Sequence, residues 1–127
     1  QGWEVTGMDM QRSTIRSAVR NAEEAGLADR CRFNQESAIR AARRLLVEKA
    51  TFDCILLDPP RSGCAELISL LPGLAARKII YISCDPATLA RDLVGLTKAG
   101  YRLTKVHLVD MFPQTAQQET MVRLERE

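Results

Sequence analysis

No apolar run in the 127-residue sequence approaches the ~20 residues that cross a bilayer, which argues against a membrane span. Residues 1–9 combine neither a basic start nor a long apolar stretch, so no secretory signal is visible. Histidine occurs once, and the four cysteines, Cys31, Cys54, Cys64 and Cys84, form no C-x-x-C pair. Such scattered donors offer no metal-ligand spacing, and they suit a reducing cytoplasm better than a disulfide scaffold. Repeats and low-complexity linkers are also missing, and none of the seven glycines stands in a G-x-G pattern. A net charge of +2 is too small to predict nucleic-acid binding by itself, although it permits it. What remains, 46% hydrophobic and 27% charged residues, is the composition of one soluble globular domain. A domain of this size buries roughly two-thirds of the surface its unfolded chain exposes.

Apolar strand-like runs alternate with helical patterns, which predicts an α/β fold. Residues 3–8 read as a strand ending at Asp9. Residues 13–25 follow as a helix with Ile15, Ala18, Val19 and Ala22 on one face and Gly26 as its stop. Residues 31–33 are a brief strand. The helix at 37–47 sets Ile39, Ala42, Leu45 and Leu46 against a face of Arg40, Arg43 and Arg44, read as solvated in preference to an RNA contact. The runs 52–57 and 78–83 are nearly continuously apolar, as strands buried on both faces of a parallel sheet would be. Asp58-Pro59-Pro60 ends the first of them. Asp85-Pro86 opens a helix after the second, running through Leu89, Leu93 and Leu96 to Gly100. Strands at 101–109 and 118–124 have a loop between them and no helix, so they pair as a hairpin and the last strand is antiparallel.

Ligands of such sheets bind beyond the carboxyl ends of the parallel strands, where Asp58 and Cys84 stand. The antiparallel last strand starts at that same edge and brings Glu119 to it. Each residue also has an ordinary structural reading. Cysteine is a small hydrophobe in most cores, but Cys84 precedes a helix N-terminus, whose dipole favours a thiolate. Asp58 suits a turn before proline, and Glu119 suits a solvent-facing strand position. His107, alternating within a strand, reads as structural.

Three stretches carry a resemblance: Leu57-Asp58-Pro59-Pro60-Arg61-Ser62-Gly63, then Tyr81-Ile82-Ser83-Cys84-Asp85-Pro86-Ala87-Thr88-Leu89-Ala90-Arg91-Asp92, then Asp110-Met111-Phe112-Pro113-Gln114-Thr115 followed by Glu119. In order and spacing they resemble the catalytic half of the RNA (uracil-5-)-methyltransferases. Val5-Thr6-Gly7-Met8-Asp9 and Asn21-Ala22 resemble the second strand and helix of that family's S-adenosylmethionine domain, so the likeness covers essentially the whole chain. It implies a Rossmann-like S-adenosylmethionine-dependent methyltransferase fold. It also implies that Cys84 adds to carbon 6 of uracil and that Glu119 removes the carbon-5 proton after methyl transfer. Asp58 is implied to bind the uracil edge and to border the cofactor, and Asp9 to hold the cofactor's ribose. The substrate would be a flipped-out or single-stranded uridine of rRNA or tRNA. Where the family usually has asparagine after the cysteine and often histidine shortly before the glutamate, this chain has Asp85 and Gln117.

The family's first strand and glycine-rich loop have no counterpart here, so residues 1–127 read as the C-terminal portion of a methyltransferase catalytic domain. On that reading the isolated piece is inactive, binds cofactor weakly and tends to self-associate through unpaired strand edges. Two rival readings stay open. One is a methyltransferase acting on an exocyclic amine, where aspartate-proline-proline also follows a strand. The other is an inactive module that binds RNA or a partner.

Overall fold

The computed structural model describes residues 2–110 and 118–127, and the loop expected at 110–117, with the Met111–Thr115 stretch and Gln117, falls outside them except for Asp110. These residues form two compact units divided between Arg44 and Leu45. In the first, β1 (Val5–Asp9) pairs in parallel with β2 (Cys31–Gln35), with Val5 level with Cys31 and Asp9 level with Gln35. Between them runs α1 (Arg12–Glu24), which buries Ala22. Gly26 adopts φ +68°, a conformation easily reached only without a Cβ. There the Gly26 N–H donates to the Glu23 carbonyl at 3.0 Å and the Leu27 N–H to the Ala22 carbonyl at 2.8 Å, the paired bonds of a Schellman stop. A single 3₁₀ turn (Ala28–Arg30) leads into β2, which is longer than expected, and α2 (Ala38–Val47) follows.

The second unit holds a four-stranded sheet in the order β3 (Cys54–Leu57), β4 (Lys78–Ser83), β6 (Glu119–Glu125), β5 (Arg102–Val109). β3 and β4 are parallel, while β6 runs antiparallel to both β4 and β5, so the expected hairpin and the reversed last strand are present. Beside the sheet, α3 (Ala65–Leu70) packs on α4 (Pro86–Lys98). The core gathers Leu67, Ile68, Leu71, Leu74, Ile79, Tyr81, Leu89, Leu96, Val122 and Leu124.

One expectation needs correction. β3 and β4 are not buried on both faces: Leu56 is 64% exposed, and β4 alternates between buried Ile79, Tyr81 and Ser83 and half-buried Lys78, Ile80 and Ile82. β3 stands at one edge of its sheet and β5 at the other. The helix α3 lies in the stretch between Pro60 and Lys78, to which no element was assigned from sequence. Its Leu67 and Ile68, with Leu71 and Leu74 of the 3₁₀ turn that follows, do recur at helical spacing. No helix among the described residues is long and apolar enough to cross a membrane.

Tyr101 joins the end of α4 to the start of β4: its hydroxyl donates to the Ala76 carbonyl at 2.6 Å, and the ring is 1% exposed. Tyr101→Phe leaves that buried carbonyl without its donor, which costs about 1–3 kcal/mol. Urea denaturation should show a drop in unfolding free energy of that order with an unchanged m-value. Unaltered stability would mean that the bond contributes nothing net.

Candidate active site at the carboxyl edge of the sheet

Strand register brings three of the sequence-predicted residues to one rim. Leu57, the last residue of β3, is level with Tyr81, and extending that register one step sets Asp58 level with Ile82. Ser83, the last residue of β4, is level with Thr120 of β6, so one further step sets Cys84 level with Glu119. Neighbouring strands lie about 4.8 Å apart, so these side chains can address one small molecule. Asp58 and Cys84 are exposed and Glu119 is half-buried, so all three are open to a ligand. Asp9, the fourth predicted residue, ends β1 in the other unit, where its Oδ1 accepts the Gln11 N–H at 2.6 Å. His107 sits in β5 level with Met121, two residues along from the Val109–Glu119 pair, and is exposed.

The turn that presents Cys84 is held at both of its ends. Before it, the buried Ser83 hydroxyl accepts the Asp85 N–H at 3.0 Å and donates to the Asp85 carbonyl at 2.9 Å. After it, Asp85 caps α4, its Oδ1 accepting the Thr88 N–H at 2.9 Å, with Pro86 at the first helical position. That N–H, helped by Arg61 3.5 Å away, holds the Asp85 carboxyl below its ordinary range. Aspartate at this position therefore does the capping that asparagine would do.

Residues 58–64, which carry Asp58, are strapped onto α4. Thr88 Oγ1 donates to the Arg61 carbonyl at 2.9 Å, Arg91 to the Ser62 carbonyl at 2.9 Å, and the Cys64 N–H to Asp92 Oδ2 at 2.8 Å. Gly63 turns at φ +75°, where a Cβ would come within 2.6 Å of Asp92 Oδ2. Asp92 is 2% exposed and also accepts the Tyr81 hydroxyl at 2.7 Å and the Arg91 guanidinium at 2.8 and 3.0 Å. Burial alone would raise the Asp92 carboxyl, but the Cys64 N–H, the Tyr81 hydroxyl and Arg91 outweigh it and hold the group below its ordinary value. Cys64 lies against this cluster, its Sγ 3.7 Å from the Tyr81 hydroxyl. Burial, with the Asp92 charge beside it, pushes the Cys64 thiol up to about 11, so it stays protonated at neutral pH and makes a poor nucleophile.

Ser83, Tyr81 and Asp92 were not singled out from sequence. Asp92 does leave a trace, since it lies three residues after Leu89 and four before Leu96, a charge placed on the apolar stripe of a helix. In the first unit, an open cleft of about 650 Å³ beyond β1 and β2 is lined by Met10, Asn34, Gln35, Glu36, Ser37, Arg40 and Arg44. Arg44 pairs there with Glu36, so the basic face of α2 is not wholly solvated.

The fold is that of the Rossmann-like S-adenosylmethionine-dependent methyltransferases. A magnesium protoporphyrin IX methyltransferase from Synechocystis PCC 6803 superposes with a TM-score of 0.72 at 14% identity, over 97% of this chain and 64% of that one, a likeness of fold alone. The tRNA (uracil-54, C5)-methyltransferase of Pyrococcus abyssi, solved with S-adenosyl-L-homocysteine, superposes with a TM-score of 0.82 at 31% identity, over 97% of this chain and 29% of that one. Residues 15–127 match the family model described as tRNA (Uracil-5-)-methyltransferase, and the chain belongs to that family. A 23S rRNA (uracil(1939)-C(5))-methyltransferase from Alkalilimnicola ehrlichii is 42% identical over 125 residues, which is 98% of this chain and 28% of the relative. One of the same name from Pseudomonas fluorescens is 53% identical over 74 residues, 58% of this chain and 16% of the relative. The chain thus spans well under a third of the length of these curated relatives.

The depressed Asp92 carboxyl has a consequence for acid stability. A carboxylate whose folded value lies below its unfolded one, about 3.9, adds stability that is complete above about pH 4 and is lost as pH falls through the folded value. Chemical denaturation at pH 7 should therefore find Asp92→Asn less stable than the parent, with the gap narrowing at pH 3. A gap of equal size at both values would show that the Asp92 charge is not what stabilises the fold.

Proposed function

We propose that this chain forms the catalytic rim of an enzyme that transfers a methyl group from S-adenosylmethionine to carbon 5 of a uridine in RNA. The observation that carries this reading is the β4–β6 register, which pairs Ser83 with Thr120 and, extended by one step, sets Cys84 level with Glu119 at an edge that Asp58 shares. Similarity to uracil-C5 methyltransferases of both tRNA and 23S rRNA supports RNA as the substrate and leaves either RNA class as its source. The four free cysteines support work in a reducing cytoplasm.

Carbon 5 of uracil is a weak nucleophile, and Cys84 overcomes this by addition. Its thiolate forms a C–S bond to carbon 6, the 5,6-double-bond electrons move toward the 4-oxygen, and carbon 5 becomes enolate-like. Asp58 accepts a hydrogen bond from the uracil N–H edge and fixes the ring. S-adenosylmethionine, when bound, supplies an electrophilic methyl group to carbon 5. Glu119 then takes the remaining carbon-5 proton, the 5,6-double bond re-forms, the C–S bond breaks and Cys84 is regenerated. The first unit suits the nucleoside part of the cofactor: Asp9 keeps acceptor capacity beyond its one N–H partner for ribose hydroxyls, and Asn34, Gln35 and Ser37 line the adjoining cleft with donors and acceptors. A uracil stacked in a helix cannot reach the rim, so the target is flipped out or single-stranded.

Two substitutions in the full-length protein test the scheme on uridine-containing RNA. Cys84→Ser should leave methylation below about 1% of the parental rate, because a serine hydroxyl is a far weaker nucleophile toward carbon 6 than a thiolate. Glu119→Gln should methylate once and stay attached, giving an RNA–protein adduct that survives denaturing electrophoresis. Near-parental turnover by Cys84→Ser would remove the covalent step, and normal product release by Glu119→Gln would assign the proton to another group. Methylation of an exocyclic amine instead would point to the rival chemistry.

A further inference from the structure

We propose that Asp92 is a positioning residue of the rim: by holding residues 58–64 against α4, it sets where Asp58 stands relative to Cys84. This inference rests on the methyltransferase reading above for its effect on rate, though not for its structural content. The three straps come from Thr88 and, one turn later on α4, from Arg91 and Asp92, and reach the backbone of residues 61, 62 and 64 in turn. Because Cys84 and its cap open that same helix, the nucleophile and the loop bearing Asp58 are referenced to one rigid element.

Asp92 is the member on which the Arg91 strap depends. Its Oδ2 takes both the Cys64 N–H and the Tyr81 hydroxyl, which ties loop, helix and β4 at one atom. Its Oδ1 takes two Arg91 nitrogens, and one of them, NH2, also donates to the Ser62 carbonyl. The carboxylate therefore aims the guanidinium that restrains Ser62. The Arg91 side chain is 51% exposed while that of Asp92 is fully enclosed, so an Arg91 that loses its anchor has solvent to swing into. An asparagine at 92 can keep the two bonds at Oδ2, but its amide N–H₂ would face the Arg91 donors, so the Ser62 strap is released.

The test uses the full-length protein carrying Asp92→Asn, with two readouts. In hydrogen exchange, amides of residues 61–64 should exchange at least about tenfold faster than in the parent, while β4 and β6 keep their protection. In steady-state and single-turnover methylation, kcat should fall at least about tenfold with KM for RNA within about threefold, the pattern of a misplaced group. A variant that merely lost folded protein would lower the active fraction without changing kcat per folded enzyme. Unchanged exchange at residues 61–64 overturns the inference whatever the activity does. Faster exchange with parental kcat limits Asp92 to stability and overturns the positioning role. Should Asp92→Asn fail to fold, Arg91→Ala removes the Ser62 strap from an exposed position and must show the same kcat-selective loss, or the inference falls. If the parent methylates no uridine, the proposed function fails by itself, and the exchange experiment still decides whether Asp92 restrains the loop.

Discussion

A carboxylate enclosed in the second unit, at Asp92, is the constraint to which the candidate rim answers. Burying an ion costs several kcal/mol unless its lone pairs are met, so such a group survives only where donors converge on it. Here a backbone N–H, a phenol and a guanidinium all do so, from residues 64, 81 and 91. Each donor belongs to a different part of the rim. Satisfying the charge therefore fixes the geometry of loop, strand and helix together, and a half-satisfied arrangement would be worse than an apolar one.

The same cluster separates the two cysteines of the rim chemically. Cys64 sits against a phenol and a buried negative charge, where a second negative charge is disfavoured, and its thiol stays protonated. Cys84 stands exposed in a turn that ends at a helix N-terminus, with the Ser83 hydroxyl bracing the backbone on one side and the Asp85 cap on the other. Burial and the Asp92 charge thus keep the Cys64 thiol protonated, while Cys84 stands exposed. Residue type alone makes no such distinction.

Antiparallel pairing does a different job. Cys84 and Glu119 are separated by a helix, a strand and the following loop, yet the β4–β6 ladder pairs their immediate neighbours, Ser83 and Thr120. A register shift of one residue would move Glu119 away from Cys84 and at the same time turn buried Val122 and Leu124 out of the core. The apolar side of β6 therefore enforces the position of a polar residue at its start.

Much of this was legible in the sequence. The apolar periodicities predicted the strands and helices, Gly26 marked the end of α1, the absence of a helix between the last two strands required a hairpin, and Pro86 after Asp85 announced the start of α4. These are local signals, because backbone sterics and side-chain period act over a few residues. The three motifs, by their resemblance, also singled out Cys84, Asp58 and Glu119. The half-covered faces of β3 and β4 were decided by tertiary packing, which depends on what lies beside an element in space. The Asp92 cluster belongs with them. Its donors come from residues 64, 81 and 91, and only once β4, α4 and the loop after Asp58 are packed together does an aspartate within an apolar helix stripe become a filled hydrogen-bonding site instead of a buried, unpaired charge.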